Sequence, residues 1–360
     1  SIWPGSLPAT LPVGFYVHQR ATWKGGQWEL DTPHELSMLF GGVWGESISF
    51  FGEWLAWEED KFGRDKLVNF EIQFNDIFME DVFNIKIGRH EVMAIESFKE
   101  DNRLTLEHYN TWDKKVDGTF NLRTPQPGIV ANGIVADRFE YSVGMVNGSN
   151  KSKTLGSCSA TSTTDEAGET ISSSCSVTTS HTGNTFEDNN KKDYYGRVAF
   201  KFGGMPLTGP ELGDDLPTRG NWRDDSIQVA GFGYWANPVT DKLSFYGLNL
   251  RANYSRYELG GTYVVGKVDI ADADDKEMAA WFVEGQARIF PWMFGIVRYE
   301  AENFTTGSVS NDHDARWIFN LTMLQRANLR WTLEQVFYPR SGATDDDGTN
   351  SFKVNLLFAF

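Results

Sequence analysis

Residues Ser351–Phe360 (SFKVNLLFAF) carry Phe352, Val354, Leu356, Phe358 and Phe360 at every second position, with Ser351, Lys353, Asn355, Leu357 and Ala359 between them. Successive side chains of a strand point to opposite faces, so one face of this segment is wholly apolar and the other mixed, small and polar. A soluble edge strand of that kind is an aggregation hazard. A strand closing a barrel in lipid needs the same pattern, with the apolar face toward acyl chains and an aromatic at the membrane boundary.

The alternation recurs along the chain, and segments of helical period are nearly absent. It predicts strands at 12–23, 34–43, 47–58, 67–77, 82–90, 127–135, 138–147, 193–203, 225–235, 243–252, 256–267, 278–288, 293–303, 314–324, 328–338 and 351–360. In the fourth, Val68, Phe70, Ile72 and Phe74 oppose Asn69, Glu71, Gln73 and Asn75. In the seventh, Phe139, Tyr141, Val143 and Met145 oppose Glu140, Ser142, Gly144 and Val146. In the fourteenth, Trp317, Phe319, Leu321 and Met323 oppose Arg316, Ile318, Asn320 and Thr322. No apolar run reaches the length of a membrane helix. The expected fold is all-β: a transmembrane antiparallel up-and-down β-barrel of about 16 strands, with residues 1–360 as one domain.

The connections supply a second line of reasoning. With the C-terminus on the periplasmic side, Pro339–Asn350, Asn303–His313 and Gly266–Glu277 become long outer loops. Gln325–Ala327, Asn253–Ser255, Phe78–Asp81 and Gly45–Glu46 become short inner turns. Residues 148–192 form a long extracellular loop. Gly204–Asp224 is long for the inner side and has room for a further hairpin. Leu104–Trp112 (LTLEHYNTW) has a strand-like look, but counting it inverts every earlier connection, so Glu91–Gln126 is read as one long loop after the fifth strand.

A net charge of −16 argues against nucleic acid as a partner. A mean hydropathy of −0.40 beside 14% aromatic residues suits strands whose apolar positions alternate with polar ones. Because the chain starts at Ser1 without Met, it is read as a mature form that has lost a signal peptide. Cys158 and Cys175 lie in one Ser/Thr-rich segment, read as a loop disulfide in preference to two free thiols. Neither sits in a haem-attachment motif, and no cofactor is expected.

FNIKIGRHE (83–91), the long segment after it, and QPGIVANGIVADRFEYSVGMVNG (126–148) together resemble the general and substrate-selective porins of bacterial outer membranes. The final Phe resembles the end of the last strand in such barrels. The resemblance implies that 91–126 folds into the lumen as a constriction loop. It implies a homotrimer in the bacterial outer membrane, in contact with lipid and lipopolysaccharide.

Parity of the alternation places charges in the lumen. Glu53, Glu71 and Glu140 point inward on early strands, and the long loop adds Glu91, Glu96, Glu100, Asp101 and Glu107. Arg197, Lys201, Arg251, Arg256, Arg288, Arg298, Arg316 and Arg330 point inward on later strands. A charge on the lipid face costs about 2–4 kcal/mol near the midplane, which favours lumenal positions. These groups either face one another as an eyelet with a transverse field, or pair locally and solvate a wet lumen. Arg251 and Arg256, near a turn, fit the second arrangement.

His90 and His108, beside Glu91 and Glu107, lack metal-ligand spacing and are read as lumenal hydrogen-bonding groups, so no metal is expected. The runs Asp272–Asp275 and Asp345–Asp347 are read as solvated loop charge in preference to sites for divalent cations bridging lipopolysaccharide. Trp44, Trp57, Trp235, Trp292 and Tyr338 suit an interfacial belt. No nucleophile elbow, phosphate loop or zinc signature occurs, so the chain is not read as an enzyme.

The leading function is a porin for passive diffusion of small hydrophilic solutes or ions. The alternative is a barrel sheath around a multihaem cytochrome in an electron conduit. A soluble carbohydrate-binding protein would use the tryptophans for stacking, but leaves the apolar faces without a role.

Overall fold

A computed structural model of the protein describes residues 13–45, 47–58, 61–92, 103–113, 122–148, 159–164, 170–176, 192–209, 224–236, 242–269, 274–307, 309–339 and 349–359. The strands are β1 (Val13–Lys24), β2 (Gln27–Trp44), β3 (Ile48–Glu58), β4 (Lys61–Phe74), β5 (Asn84–His90), β6 (Gln126–Val135), β7 (Phe139–Val146), β8 (Ser159–Thr164), β9 (Thr170–Ser176), β10 (Asp193–Gly203), β11 (Ser226–Ala236), β12 (Lys242–Tyr254), β13 (Tyr257–Asp269), β14 (Lys276–Phe290), β15 (Met293–Thr306), β16 (Val309–Arg326), β17 (Leu329–Phe337) and β18 (Ser351–Ala359). One short helix, α1 (Asn110–Asp113), lies between β5 and β6.

All of these strands except β8 and β9 form one closed antiparallel barrel. Each pairs with its neighbour in sequence, β7 pairs with β10, and β18 closes the ring against β1 from Tyr16↔Ala359 to Lys24↔Ser351. Closure leaves no unpaired edge, the condition for crossing lipid with strands.

The two faces divide as the alternation requires. Val143 is 60% exposed and Leu248 66% exposed on the outside, among a continuous set that includes Phe70, Val198, Val229 and Phe319. Ser142, Asn249, Asn320 and Thr332 are buried inside. So large an exposed apolar surface requires lipid as its solvent. Near the strand ends, Trp44, Trp235 and Trp292 are exposed; Trp292 stacks on Phe290 and Trp235 donates to the Tyr246 hydroxyl at 2.7 Å. Tyr338 departs from the expected belt. Its hydroxyl lies 3.4 Å from Arg316 Nη1, on the lumenal side.

Several strands run past the expected boundaries. Asn303–His313 is not a long loop: β15 and β16 stay paired to Thr306↔Val309, and Gly307, at φ +60°, supports the tight turn. β13 and β14 likewise pair to Val268↔Lys276, within the expected loop Gly266–Glu277. Polar sequence hides these extensions, because a strand projecting beyond the hydrocarbon zone needs no apolar face. Gly204–Asp224 inserts no strand into the barrel, since β10 pairs directly with β11; residues 210–223 lie outside the described residues. Within 148–192 the hairpin β8–β9 was not expected, and it stands apart from the barrel. Cys158 lies outside the described residues, and so does its expected bond to Cys175.

The C-terminal strand ends beside the β16–β17 turn, where Ala359 N donates to Asn328 O at 3.0 Å. That end of the barrel carries the β2–β3, β6–β7, β12–β13, β14–β15 and β16–β17 connections, each of three residues or fewer, together with 204–225; the opposite end carries 91–125 and 147–192, and also the two-residue connections β1–β2, β3–β4 and β15–β16. Leu104–Trp112 is not a strand, so the parity of the connections stands.

Candidate functional site

Residues 103–113 cross the barrel interior and are held on the inner wall of β14–β18. Arg298 on β15 is fully buried. Its Nη2 donates to Glu107 O at 2.8 Å and its Nη1 to Thr105 Oγ1 at 3.2 Å. The same guanidinium lies 3.3 Å from Glu300 and 3.6 Å from Glu284. Arg316 on β16 donates to His108 O at 3.0 Å and pairs with Glu107 at 3.0 Å and with Glu300. Lys353 on β18 pairs with the other oxygen of Glu107. From β17, Glu334 accepts the backbone N–H groups of Leu106 and Glu107 at 2.7 and 2.8 Å, and Asn320 Nδ2 at 2.9 Å.

Burial alone would raise the Glu107 pKa. The Lys353 ammonium and Arg316 guanidinium outweigh it and hold the carboxyl well below the usual carboxylate range. Burial, and then the nearby Glu284 carboxylate, push the Tyr109 hydroxyl far up. Tyr109 therefore stays protonated and donates to Glu284 at 3.1 Å.

The other side of the loop is apolar. Tyr109 stacks on Phe282 with centroids 4.4 Å apart. Tyr109, Trp112 and Leu122 share a buried cluster with inward-facing residues of β10–β14, among them Phe232, Tyr234, Phe245 and Met278. Polar tips in this region find partners: Tyr234 donates to Asp193 at 2.6 Å, and His90 Nε2 lies 3.3 Å from the Tyr195 hydroxyl. The loop is thus clamped by charge on one wall and by packing on the other.

The remaining expected site residues fall as follows. Glu53 is buried and accepts from Tyr16 at 2.7 Å. Glu71 pairs with Lys86 at 2.7 Å, Arg197 with Glu140 at 3.0 Å, and Arg251 with Glu258 at 2.7 Å. Lys201 pairs with Asp224 at 2.6 Å. Burial would raise the Asp224 pKa, but Lys201 and the Met205 N–H bring it below the usual range. Glu91 lines a small recess with Arg103, His108, Trp112 and Arg123. Arg288 sits 5.8 Å from the Phe294 ring centroid near the turn end. Arg330 points into the lumen from β17. Glu96, Glu100 and Asp101 lie outside the described residues, as do Asp272 and the run Asp345–Asp347. Asp275 pairs with Lys267 at 3.2 Å. Of the two arrangements open from sequence, local pairing describes Glu71, Glu107, Arg197, Lys201, Arg298 and Arg316.

Sequence reading passed over Glu284, Glu300, Glu334 and Lys353, which complete the clamp. A signal was present, because Glu300 shares the parity of Arg298, and Glu334 that of Arg330. The inward aromatic cluster carried no such signal.

The closed barrel with an apolar exterior and a loop fixed across its interior is a transmembrane barrel of the bacterial outer-membrane type. Solved structures with the same fold span nearly the whole chain. OmpT of Vibrio cholerae, an outer-membrane protein in trimer form, matches with a TM-score of 0.64 at 10% identity, over 98% of this chain and 99% of that one. OmpF of Salmonella typhi, in complex with daunomycin, gives 0.63 at 10% identity, covering 97% of each chain. An anion-selective porin from Comamonas acidovorans gives 0.58 at 8% identity, over 98% and 99%. No protein-family model and no curated protein matches the chain. The fold is that of the bacterial outer-membrane porins.

Proposed function

We propose that the protein is an outer-membrane porin, a water-filled channel for passive diffusion of small hydrophilic solutes or ions, without a cofactor and without catalytic activity. The observation that carries this reading is the fixing of 103–113 across the lumen by Arg298, Arg316, Glu334 and Lys353. A loop held by buried charge narrows a barrel without sealing it by chance motion. In this reading residues 91–126 form the constriction, lined by Glu91, Glu107 and the inward charges of the wall. The C-terminus and short turns face the periplasm, and 148–192 faces outward with lipopolysaccharide around it. The trimer form of the Vibrio cholerae relative supports a homotrimer. A sheath around a cytochrome needs an empty lumen, and the clamped loop counts against it.

Liposome swelling tests the proposal. Vesicles containing the folded protein should swell in small neutral sugars, at rates falling steeply with sugar size. Vesicles that swell no faster than protein-free ones would refute diffusion. A haem Soret band in natively purified material would replace it with the sheath.

A further inference from the structure

Most lumenal charges have partners, but the seam where the barrel closes is different. There Arg20 on β1 is registered with Asn355 on β18, and Asn355 with Thr332 on β17. One step along, Leu357 lies between His18 and Arg330. Arg20 and Arg330 thus flank β18 diagonally on the inner face, about two strand spacings (~10 Å) apart across the sheet. Two arginine side chains can converge over that span.

Among the described residues, neither guanidinium has an ion-pair or hydrogen-bond partner, and the buried Nε of each is unsatisfied. Asn355, between them, is 0% exposed, and both polar atoms of its carboxamide lack partners. Arg103 adds a third positive charge. Its own Nε and Nη2 are engaged with Thr105 O and Leu106 O, and its charge bears on both Arg20 and Arg330. Carboxylates within electrostatic reach of Arg20 are already committed: Glu107 to Lys353 and Arg316, Glu334 to the loop N–H groups, and Glu35 to Tyr16.

Like charges gathered with a buried, unsatisfied carboxamide are costly in a protein at rest. An anion with two or more oxygens relieves both costs. It takes the planar forks of the arginines and a hydrogen bond from the amide, geometry that a spherical ion cannot match.

We infer that Arg20, Arg330 and Asn355, reinforced by Arg103, form a lumenal binding site for a small oxyanion, a carboxylate or phosphate solute. The inference rests on the channel reading for its role in transport, although binding itself needs no open pore. The site selects by oxygen geometry and would give the channel a station for such solutes against a net charge of −16.

The test is isothermal titration of the full chain, folded in detergent, with succinate or inorganic phosphate at constant ionic strength. Chloride serves as the spherical comparison. Saturable binding of either oxyanion is expected, weakened about tenfold or more in Arg20→Gln and independently in Arg330→Gln. Lys267→Gln, at the far end of the barrel, should bind as the parent does. Tighter succinate binding identifies a carboxylate site, and tighter phosphate binding a phosphate site. Equal response to chloride, no saturable heat, or unchanged binding in both folded arginine variants would overturn the inference. Saturable binding without any conductance sinks the channel reading and leaves the site; conductance without saturable binding sinks the site alone.

Discussion

Arg298 lies with its guanidinium carbon 4.1 Å from the centroid of the Tyr109 ring, joining the inner wall to the loop that crosses the lumen. The contact unites a strand and a loop 189 residues apart in sequence (298 − 109). It also sits where the charged and apolar sides of the clamp meet.

Arg298→Ala should be among the most damaging lumenal substitutions. It leaves Glu284 as a buried charge without its cation, leaves Glu300 with Arg316 alone, and removes the cation from Tyr109. Breaking a buried ion network from one side costs about 3–5 kcal/mol. Urea unfolding of the folded barrel, followed by gel mobility, should show a clear drop in midpoint. Arg298→Lys should recover little, because an ammonium lacks the fork that reaches Thr105 and the Glu107 carbonyl together.

Glu334→Gln should loosen the loop without harming the barrel. The carboxylate accepts two adjacent loop amides, and hydrogen bonds to charged groups contribute about 1.5–3 kcal/mol each. Hydrogen exchange should accelerate at the Leu106 and Glu107 amides and stay unchanged in β10–β13. Unaltered exchange at those amides would show that other contacts hold the segment.

The pH response follows from the depressed pKa of Glu107. A carboxylate of this kind contributes stability above its unfolded pKa, about 4.3, and loses it as pH falls through the lower folded value. Trp112 emission, as a reporter of the packed loop, should therefore stay constant from neutral pH down to about 4. Glu107→Gln should shift the emission already at pH 7. A transition of the parent protein near pH 5 would point to a different controlling group.

The outer face predicts an asymmetry on one strand. Leu248→Arg puts a charge in the lipid zone of β12 and should cost about 2–4 kcal/mol in folding into vesicles. Asn249, one residue on, faces the lumen and donates to Thr262 Oγ1 at 2.9 Å, and Asn249→Ser, which adds no charge and keeps a hydroxyl donor, should fold close to normally. Equal effects at both positions would contradict the assigned faces.

The barrel was legible because lipid imposes period two on every strand that crosses it, as Phe139–Val146 and Arg316–Met323 illustrate. The strands were less legible where β15 and β16 run on to the Thr306↔Val309 pair, since the sequence there (TTGSVSNDHD) is polar and the period-two pattern lapses. Inward charges could be read by parity, but their partners could not. Glu107 meets Lys353 only because the barrel closes and the loop folds in. The apolar cluster was hidden for a physical reason: on β11 both Phe232 and Tyr234 face inward while Trp235 faces out, and alternation cannot rank two apolar faces. The seam arginines, without a partner among the described residues, share this limit, because Arg20 lies on β1 and Arg330 on β17, and only β18 between them makes them neighbours.

Single-channel recording of the detergent-purified protein in a planar bilayer, with a salt gradient across it, tests the central claim most directly. The account predicts discrete, stable conductance steps with a resolvable ion preference, grouped in threes for a trimer. Insertion of folded barrels that never conduct would contradict it.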